Sequence, residues 1–356
     1  MSGPEDSLGE DGSPGGPVRG IGARHGRLEP ALTNSSTVIV TGAAGFIGRA
    51  VAERLLDRGE AVIGVDNFNA YYEPALKVDR AATLEGRDDF RMVRMDVANT
   101  EAFAALVRDS GARRVVHLAA QAGVRYSIEQ PFAYEHANLL GHLSVLEACR
   151  HAEGFEHLVY ASSSSVYVDR PLAGAFKETE AAETPSSLYA ATKRADELMS
   201  ASYSHLYGLP QSGLRFFTVY GPWGRPDMAY FSFTQKILSG QPIEVFGEGR
   251  MARDFTYIDD IVTGVVAALD HPPTDGGHEV FNIGAGRPVG LMDMIAVLER
   301  AIGLDAVKQM RPMQPGDVTA THADISKLAA LTGYWPKTAI EQGLPRFVAW
   351  YRGRYG

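Results

Sequence analysis

Thr41-Gly42-Ala43-Ala44-Gly45-Phe46-Ile47-Gly48 decides the fold of this chain. The stretch follows a β-branched run, Thr37-Val38-Ile39-Val40, and opens an apolar helical spacing at Ile47, Val51 and Leu55. A buried strand, a glycine-rich turn and an amphipathic helix in that order point to the first half of a dinucleotide-binding βαβ unit. Gly42, Gly45 and Gly48 let the backbone turn tightly, approach a pyrophosphate and pack the helix on its strand. The helix start at Phe46 and Ile47 offers free N–H groups and the positive end of the helix dipole, so a phosphate is held there without a basic side chain. The next β-branched run, Ala61-Val62-Ile63-Gly64-Val65, ends in Asp66 and Asn67. An acid at that place binds an adenosine ribose 2′-OH and repels a 2′-phosphate, which favours NAD over NADP.

The rest of the composition fits a soluble enzyme. The chain has 356 residues, of which 45% are hydrophobic and 22% charged, enough for one large domain and a smaller one. A net charge of −9 argues against general affinity for nucleic acid or an acidic membrane surface, so an anionic substrate would need a local cluster of arginines. The single cysteine, Cys149, sits in an apolar helical stretch and reads as a buried thiol in a reducing, cytoplasmic setting. The histidines show no zinc or iron ligand spacing, and no metal is expected. Residues 1–35 are rich in Gly, Pro, Ser and acids, and read as a disordered leader without the apolar core of a secretory signal. No stretch is long and apolar enough to cross a membrane.

Strands are expected at 37–41, 61–66, 91–95, 114–119, 157–162 and 212–217, with helices at 50–58, 100–109, 131–152 and 188–207. That alternation gives an α/β fold, a Rossmann-type doubly wound parallel sheet over 36–220. After Tyr220 the rhythm weakens and Gly/Pro turns multiply. Residues 221–356 therefore read as a smaller α/β substrate lobe, with some segments returning to the first domain and a cleft between the two.

Tyr189-Ala190-Ala191-Thr192-Lys193 is the second decisive stretch. Positions four apart share a helix face, so the Lys193 ammonium lies near the Tyr189 phenol. A free tyrosine, with a pKa of about 10, is a poor base at neutral pH; a neighbouring cation favours the phenolate and lowers that value. Upstream, a strand ends in Ala161-Ser162-Ser163-Ser164-Ser165, and a serine at the carboxyl end of a parallel strand faces the ligand cleft. Ser163, Tyr189 and Lys193 beside an NAD site describe proton removal from an alcohol coupled to hydride transfer.

From residue 36 onward the chain resembles the extended short-chain dehydrogenase/reductase superfamily, the nucleotide-sugar epimerases and dehydratases. The supporting stretches are Thr41 to Gly48, Asp66-Asn67, Asp96-Val97, His117 to Arg125, Asn138, the serine run and Tyr189/Lys193. Leu214 to Tyr220, Arg225-Pro226-Asp227-Met228, Arg253 to Asp260 and Met313 to Val318 look like the UDP-glucuronate 4-epimerase branch. The resemblance implies NAD contacts at the glycine turn, Asp66, Asn67, Asp96, Val97, Leu118, Ala119 and Ala120. It implies UDP-sugar contacts at Ser163, Ser164, Ser165, Thr218, Arg225, Arg253 (the diphosphate) and Asp317 (a ribose). Val168, where relatives usually have Gly, and Ser232, where many have Arg or Lys, depart from the pattern. A homodimer is expected.

The serine run separates reactions that all begin by oxidising C4 of the sugar. Dehydratase relatives resemble Thr-Asp-Glu where this chain has Ser163-Ser164-Ser165, and decarboxylases place Glu at the position of Ser165. Neither carboxyl is present here, so the simplest fate of the 4-keto intermediate is rotation and return of the hydride to its other face. Thr218 stands where galactose-type epimerases resemble Asn, which tilts the expectation toward a uronic acid. A UDP-glucose/UDP-galactose 4-epimerase, a decarboxylase with an unusual base, and a non-catalytic NAD sensor are the alternatives; the last usually lacks the Tyr/Lys pair.

Overall fold

The computed structural model describes residues 37–167, 174–313 and 319–356; the expected leader at 1–35, Val168 and Asp317 lie outside the described residues. β1 (Val38–Thr41) runs through the glycine turn into α1 (Phe46–Asp57). β2 (Val62–Asp66) pairs with it in parallel, and every residue of both strands is buried. Continuous apolar, β-branched strands are what a parallel sheet covered on both faces needs. α2 (Pro74–Ala82), β3 (Phe90–Arg94), α3 (Thr100–Ser110) and β4 (Arg114–His117) continue the alternation. Two single-turn helices, α4 (Tyr126–Glu129) and α5 (Pro131–Tyr134), lead through a π-helical turn at Glu135–Leu140 into α6 (Gly141–Arg150). β5 (His157–Ser163), α7 (Leu188–Tyr207) and β6 (Gln211–Phe216) follow.

Beyond β6 the elements are β7 (Thr218–Tyr220), α8 (Ala229–Leu238), β8 (Ile243–Phe246), β9 (Ala252–Tyr257) and α9 (Ile258–Leu269). Then come β10 (His278–Ile283), β11 (Pro288–Gly290), α10 (Leu291–Ile302), β12 (Lys308–Arg311), α11 (Ser326–Thr332) and α12 (Ile340–Tyr355).

The main sheet has seven strands in the order β10-β6-β5-β4-β1-β2-β3, all parallel. The chain steps outward from β1 to β2 and β3, then returns to the other side of β1 as β4. The loops leaving β1 and β4 diverge at that reversal, and a crevice opens over their carboxyl ends. Smaller sheets, β11-β9-β7 and β12-β8, stand beyond it. Tyr230, Phe231 and Phe233 of α8 are buried, with Tyr230 edge-on to Phe347 of α12 at 4.8 Å.

Two of the departures from the expected pattern bear on the site. α2 was not foreseen, because its buried face carries Lys77 and Arg80 beside Leu76 and Ala81, and charged residues hide a helical apolar period. The helix expected at 131–152 is broken by the π-helical turn, whose extra residue per turn leaves no mark in composition.

Candidate active site

The site begins at the glycine turn. Gly42 has φ 70°, and an added Cβ there would lie 2.8 Å from the Leu118 carbonyl carbon. The Gly42 and Ala43 N–H groups both donate to Val65 O, at 2.7 and 3.2 Å, folding the turn over the end of β2. Gly45 is the N-cap of α1; no side chain caps that helix and no acid stands in its first turn, so its positive end is left for an anion.

Asp66 ends β2 almost fully buried. Its Oδ2 accepts from Ala44 N at 3.1 Å and its Oδ1 from Phe68 N at 2.8 Å. Lys77 Nζ stands 3.7 Å from Oδ1 and donates to Asn69 Oδ1 at 2.8 Å. Asn67 donates to Asp96 Oδ2 at 3.1 Å, and Ala98 N donates to Asp96 Oδ1 at 2.9 Å. Burial pushes the Asp96 carboxyl up, but these donors and His136 outweigh it and hold the group below the usual carboxylate range.

At the end of β4, Thr41 Oγ1 accepts from Leu118 N at 3.2 Å and Ala119 N at 3.1 Å. It stands 2.7 Å from His117 Nδ1, so with both amides donating to it, the threonine O–H is assigned as donor to that ring nitrogen. Burial, and secondarily the Lys193 cation, push His117 down to about 3. His117 is therefore a neutral support of the strand end. Asn138, on the π-helical turn, accepts from Gln121 N at 2.8 Å and donates to Gln121 O and Thr192 Oγ1 at 3.1 and 2.9 Å. It ties the loop after β4 to α7.

The serine run divides its hydroxyls. Ser162 Oγ donates to buried Glu197 Oε1 at 2.6 Å and belongs to the core. Ser163 Oγ accepts from Ser165 N at 3.1 Å, capping the 3-10 turn Ser164–Val166. Ser164 and Ser165 stand half-buried on that turn. Ser187 caps α7 by accepting from Ala190 N at 3.1 Å, which sets Tyr189 in the helix's first turn, edge-on to Tyr134 at 6.0 Å. Lys193, one turn on, donates to Ala161 O at 3.1 Å and Asp196 Oδ2 at 3.0 Å.

One cavity of ≈ 430 Å³ joins these parts. Its wall includes Gly42, Gly45, Phe46, Ile47 and Gly48 of the turn, and Asp66, Asn67, Asp96, Val97, Leu118, Ala119 and Ala120 along the strand ends. At the other end it includes Ser163, Ser164, Ser165, Tyr189, Lys193, Thr218 and Arg225. Arg225 reaches the wall with its fork engaged: Nε and Nη2 donate to Asp227 at 3.0 and 2.7 Å, and the Tyr71 hydroxyl donates to the same carboxylate at 3.1 Å. Arg253, on β9, is not among the lining residues; its Nη1 donates to Ala252 O and Thr319 O at 2.9 and 3.3 Å. Its neighbour Asp254 is fully buried and accepts from the backbone N–H groups of Ala285, Gly286 and Ala323, so the two do not form a surface pair.

A glycine cradle against the uncapped α1, an acid at the end of β2 and a continuous cavity to Tyr189 fit a dinucleotide at the switch point of a doubly wound sheet. The chain matches the NAD dependent epimerase/dehydratase family over residues 38–284, and it belongs to that family. It is 46% identical to UDP-glucuronate 4-epimerase 4 of Arabidopsis thaliana over 92% of this chain and 78% of that one. It is 44% identical to a probable UDP-glucuronate 4-epimerase of Rhizobium meliloti, over 89% of this chain and 97% of the relative. The fold superposes with a TM-score of 0.84 on the crystal structure of UDP-glucuronic acid 4-epimerase from Bacillus cereus in complex with UDP-glucuronic acid and NAD, at 36% identity, covering 90% of this chain and 100% of that one.

Sequence reasoning missed Tyr71, Lys77 and Gln121 in the cavity wall. Gln121 lay within the His117 to Arg125 stretch but was given no contact of its own; Tyr71 and Lys77 follow Asp66 closely, and without α2 nothing brought them back to the cleft.

Proposed function

We propose that this protein interconverts UDP-glucuronate and UDP-galacturonate, inverting C4 with NAD as a resident cofactor. The observation that carries this reading is the chemistry of the sugar end. Among the described residues lining the cavity, the only carboxylates are Asp66 and Asp96, both at the β2/β3 end. Among the described residues, no second acid/base pair stands beside the serine turn to expel a hydroxyl or drive loss of CO₂. The names of the relatives and the ligands of the Bacillus cereus structure support the same substrate.

The glycine turn, Asp66 and the ends of β3 and β4 are assigned to NAD, which when bound supplies an acceptor and donor of hydride for the sugar's C4. Tyr189 takes the C4 hydroxyl proton and later returns one. Lys193 supplies positive charge beside the phenolate, and Ser163, whose oxygen already accepts from Ser165 N, keeps its proton as a donor to the sugar oxygen. Ser164, Ser165 and Thr218 offer hydroxyl donors to the uronate. Holding that carboxylate still also opposes decarboxylation of a β-keto acid. The assignments of Arg253 to the diphosphate and Asp317 to a ribose rest on the resemblance. By this reading 36–220 mainly binds NAD and 221–356 mainly the nucleotide sugar.

A second reading, epimerisation of neutral UDP-hexoses, draws support from Arg225, whose fork is taken by Asp227 and leaves the uronate less cationic help. Incubating the purified protein with UDP-glucuronate and with UDP-glucose, and resolving the products, decides between them. UDP-galacturonate without added cofactor is the expected product. Faster turnover of UDP-glucose, or UDP-pentose and CO₂ from UDP-glucuronate, would overturn the first reading.

We also assign a cytoplasmic homodimer. Cys149 is a free, buried thiol, as a reducing compartment permits. Leu140, Leu143, Leu198 and Leu206 stand exposed on the adjoining π-helical turn, α6 and α7, a surface suited to a second copy. Sedimentation as a monomer at micromolar concentration would remove the dimer from this reading.

A further inference from the structure

Tyr189, Lys193 and Asp196 stand at i, i+4 and i+7 of α7, on one face of the helix. The ammonium therefore lies between a phenol one turn toward the N-terminus and a carboxylate one turn toward the C-terminus. Lys193 and Asp196 are both nearly inaccessible to solvent, and their charged ends meet at 3.0 Å. The other acceptor of the ammonium is Ala161 O at 3.1 Å, at the end of β5. Along the helix, Asp196 lies on the side of Lys193 away from Tyr189.

The second oxygen of Asp196, Oδ1, is buried without a hydrogen bond. Leaving a carboxylate oxygen unsatisfied in the interior is costly. Burial pushes the carboxyl up to about 6, against the pull of Lys193. Glu197 beside it behaves differently: burial raises it, but the Arg215 fork and Ser162 more than offset that and hold it low. From the packed elements, Tyr160 of β5 feels the Asp196 charge, His142 of α6 meets the Asp196 backbone, and His142 and His117 of β4 both feel the ammonium. Burial keeps both imidazoles neutral and the Tyr160 phenol protonated. Arg215 of β6 is engaged by Glu197. Lys193 is thus the cation that Asp196 balances.

We propose, building on the epimerase reading, that Asp196 is a positioning residue for the reaction: its carboxylate draws the Lys193 ammonium away from Tyr189 and mutes the cation's support of the phenolate. When Asp196 takes up a proton, the full charge of the ammonium returns to the phenol. The base then loses competence more gradually in acid than it would beside a fixed neutral residue.

The test is kcat/KM against pH for the wild type and Asp196→Asn, which keeps the size of the side chain and an acceptor for the ammonium. Removing one charge about two helical turns, or ~10 Å, from the phenol should move the acid limb down by about one pH unit. The variant's advantage on that limb should therefore grow above pH 6 toward about tenfold, and the two profiles should converge below pH 6. The ultraviolet titration of the Tyr189 phenol, taken as the difference between each protein and its Tyr189→Phe counterpart, should move by the same amount. A folded variant whose profile and phenol titration both superimpose on the wild type overturns the proposal. If Asp196→Asn does not fold, the wild-type profile decides. A limb shallower than unit slope near pH 6 supports the proposal, and unit slope throughout overturns it. Absence of any epimerisation of UDP-glucuronate would refute the reaction instead, and the phenol titration would still decide the role of Asp196.

Discussion

At the scale of single residues, the chemistry narrows to Tyr189. Replacing it with Phe removes the proposed base while keeping the ring against Tyr134, so turnover should fall by about 10² to 10⁴ with NAD retention unchanged. Steady-state rates and the NAD content of the purified variant check this; more than a tenth of wild-type activity would refute the role. The sequence made this end of the site legible because each residue acts from a fixed place on its element: Ser163 ends β5, and Tyr189 and Lys193 share a helix face. Residues that depend on partners from elsewhere in the chain were not legible. Tyr71 donates to the Asp227 carboxylate that engages Arg225, a contact between segments far apart in sequence. Asp196 was hidden for a related reason, since a charged residue in a helix reads as solvated until the fold buries it.

At the scale of elements, the glycine turn is set by backbone crowding. A Cβ on Gly48 would lie 2.0 Å from Gly42 O, and a backbone obstacle does not rotate away. Gly48→Ala should cost about 2 kcal/mol through overpacking, lower Tm by several degrees and release most of the bound NAD. Thermal melts and cofactor content measure both effects, and a variant with wild-type Tm and full NAD would contradict the packing argument. β1 and β2 were readable because buried parallel strands are continuous β-branched runs. β10 was not, because nothing in His278-Glu279-Val280-Phe281-Asn282-Ile283 tells that it joins β6 rather than a strand of the smaller sheets. α2 shows the converse limit: Arg80 is fully buried and donates to Trp223 O and Gly224 O at 2.6 and 3.0 Å, so its helix faces the interior with a charge.

At the scale of the whole molecule, buried imidazoles make the fold sensitive to acid. Burial pushes His117 down to about 3 and His157 and His278 to about 4, and drives His142 lower as well. In the unfolded chain each titrates near 6.5, so between about pH 6.5 and 4 the unfolded state binds protons that the folded state refuses. Stability contributed by these groups is present above pH 6.5 and is lost as pH falls. Asp196, Asp254 and Asp259, whose carboxyls are raised by burial, work in the opposite direction, but they are three groups against four. Tm should therefore decline steadily from pH 6.5 toward pH 4, and a constant Tm from pH 7 to pH 5 would show that the imidazoles are not buried as described. The strand order carries one more consequence, for synthesis. β10 closes the sheet beside β6 only after residues 217–277 have been made. Throughout that interval a nascent chain leaving the ribosome presents β6 as an open edge, with N–H and C=O groups free to pair with a neighbouring polypeptide. Each growing chain stays exposed to edge-to-edge association until Ile283 has emerged, and the strand that ends the exposure arrives from beyond the segment that carries the catalytic side chains.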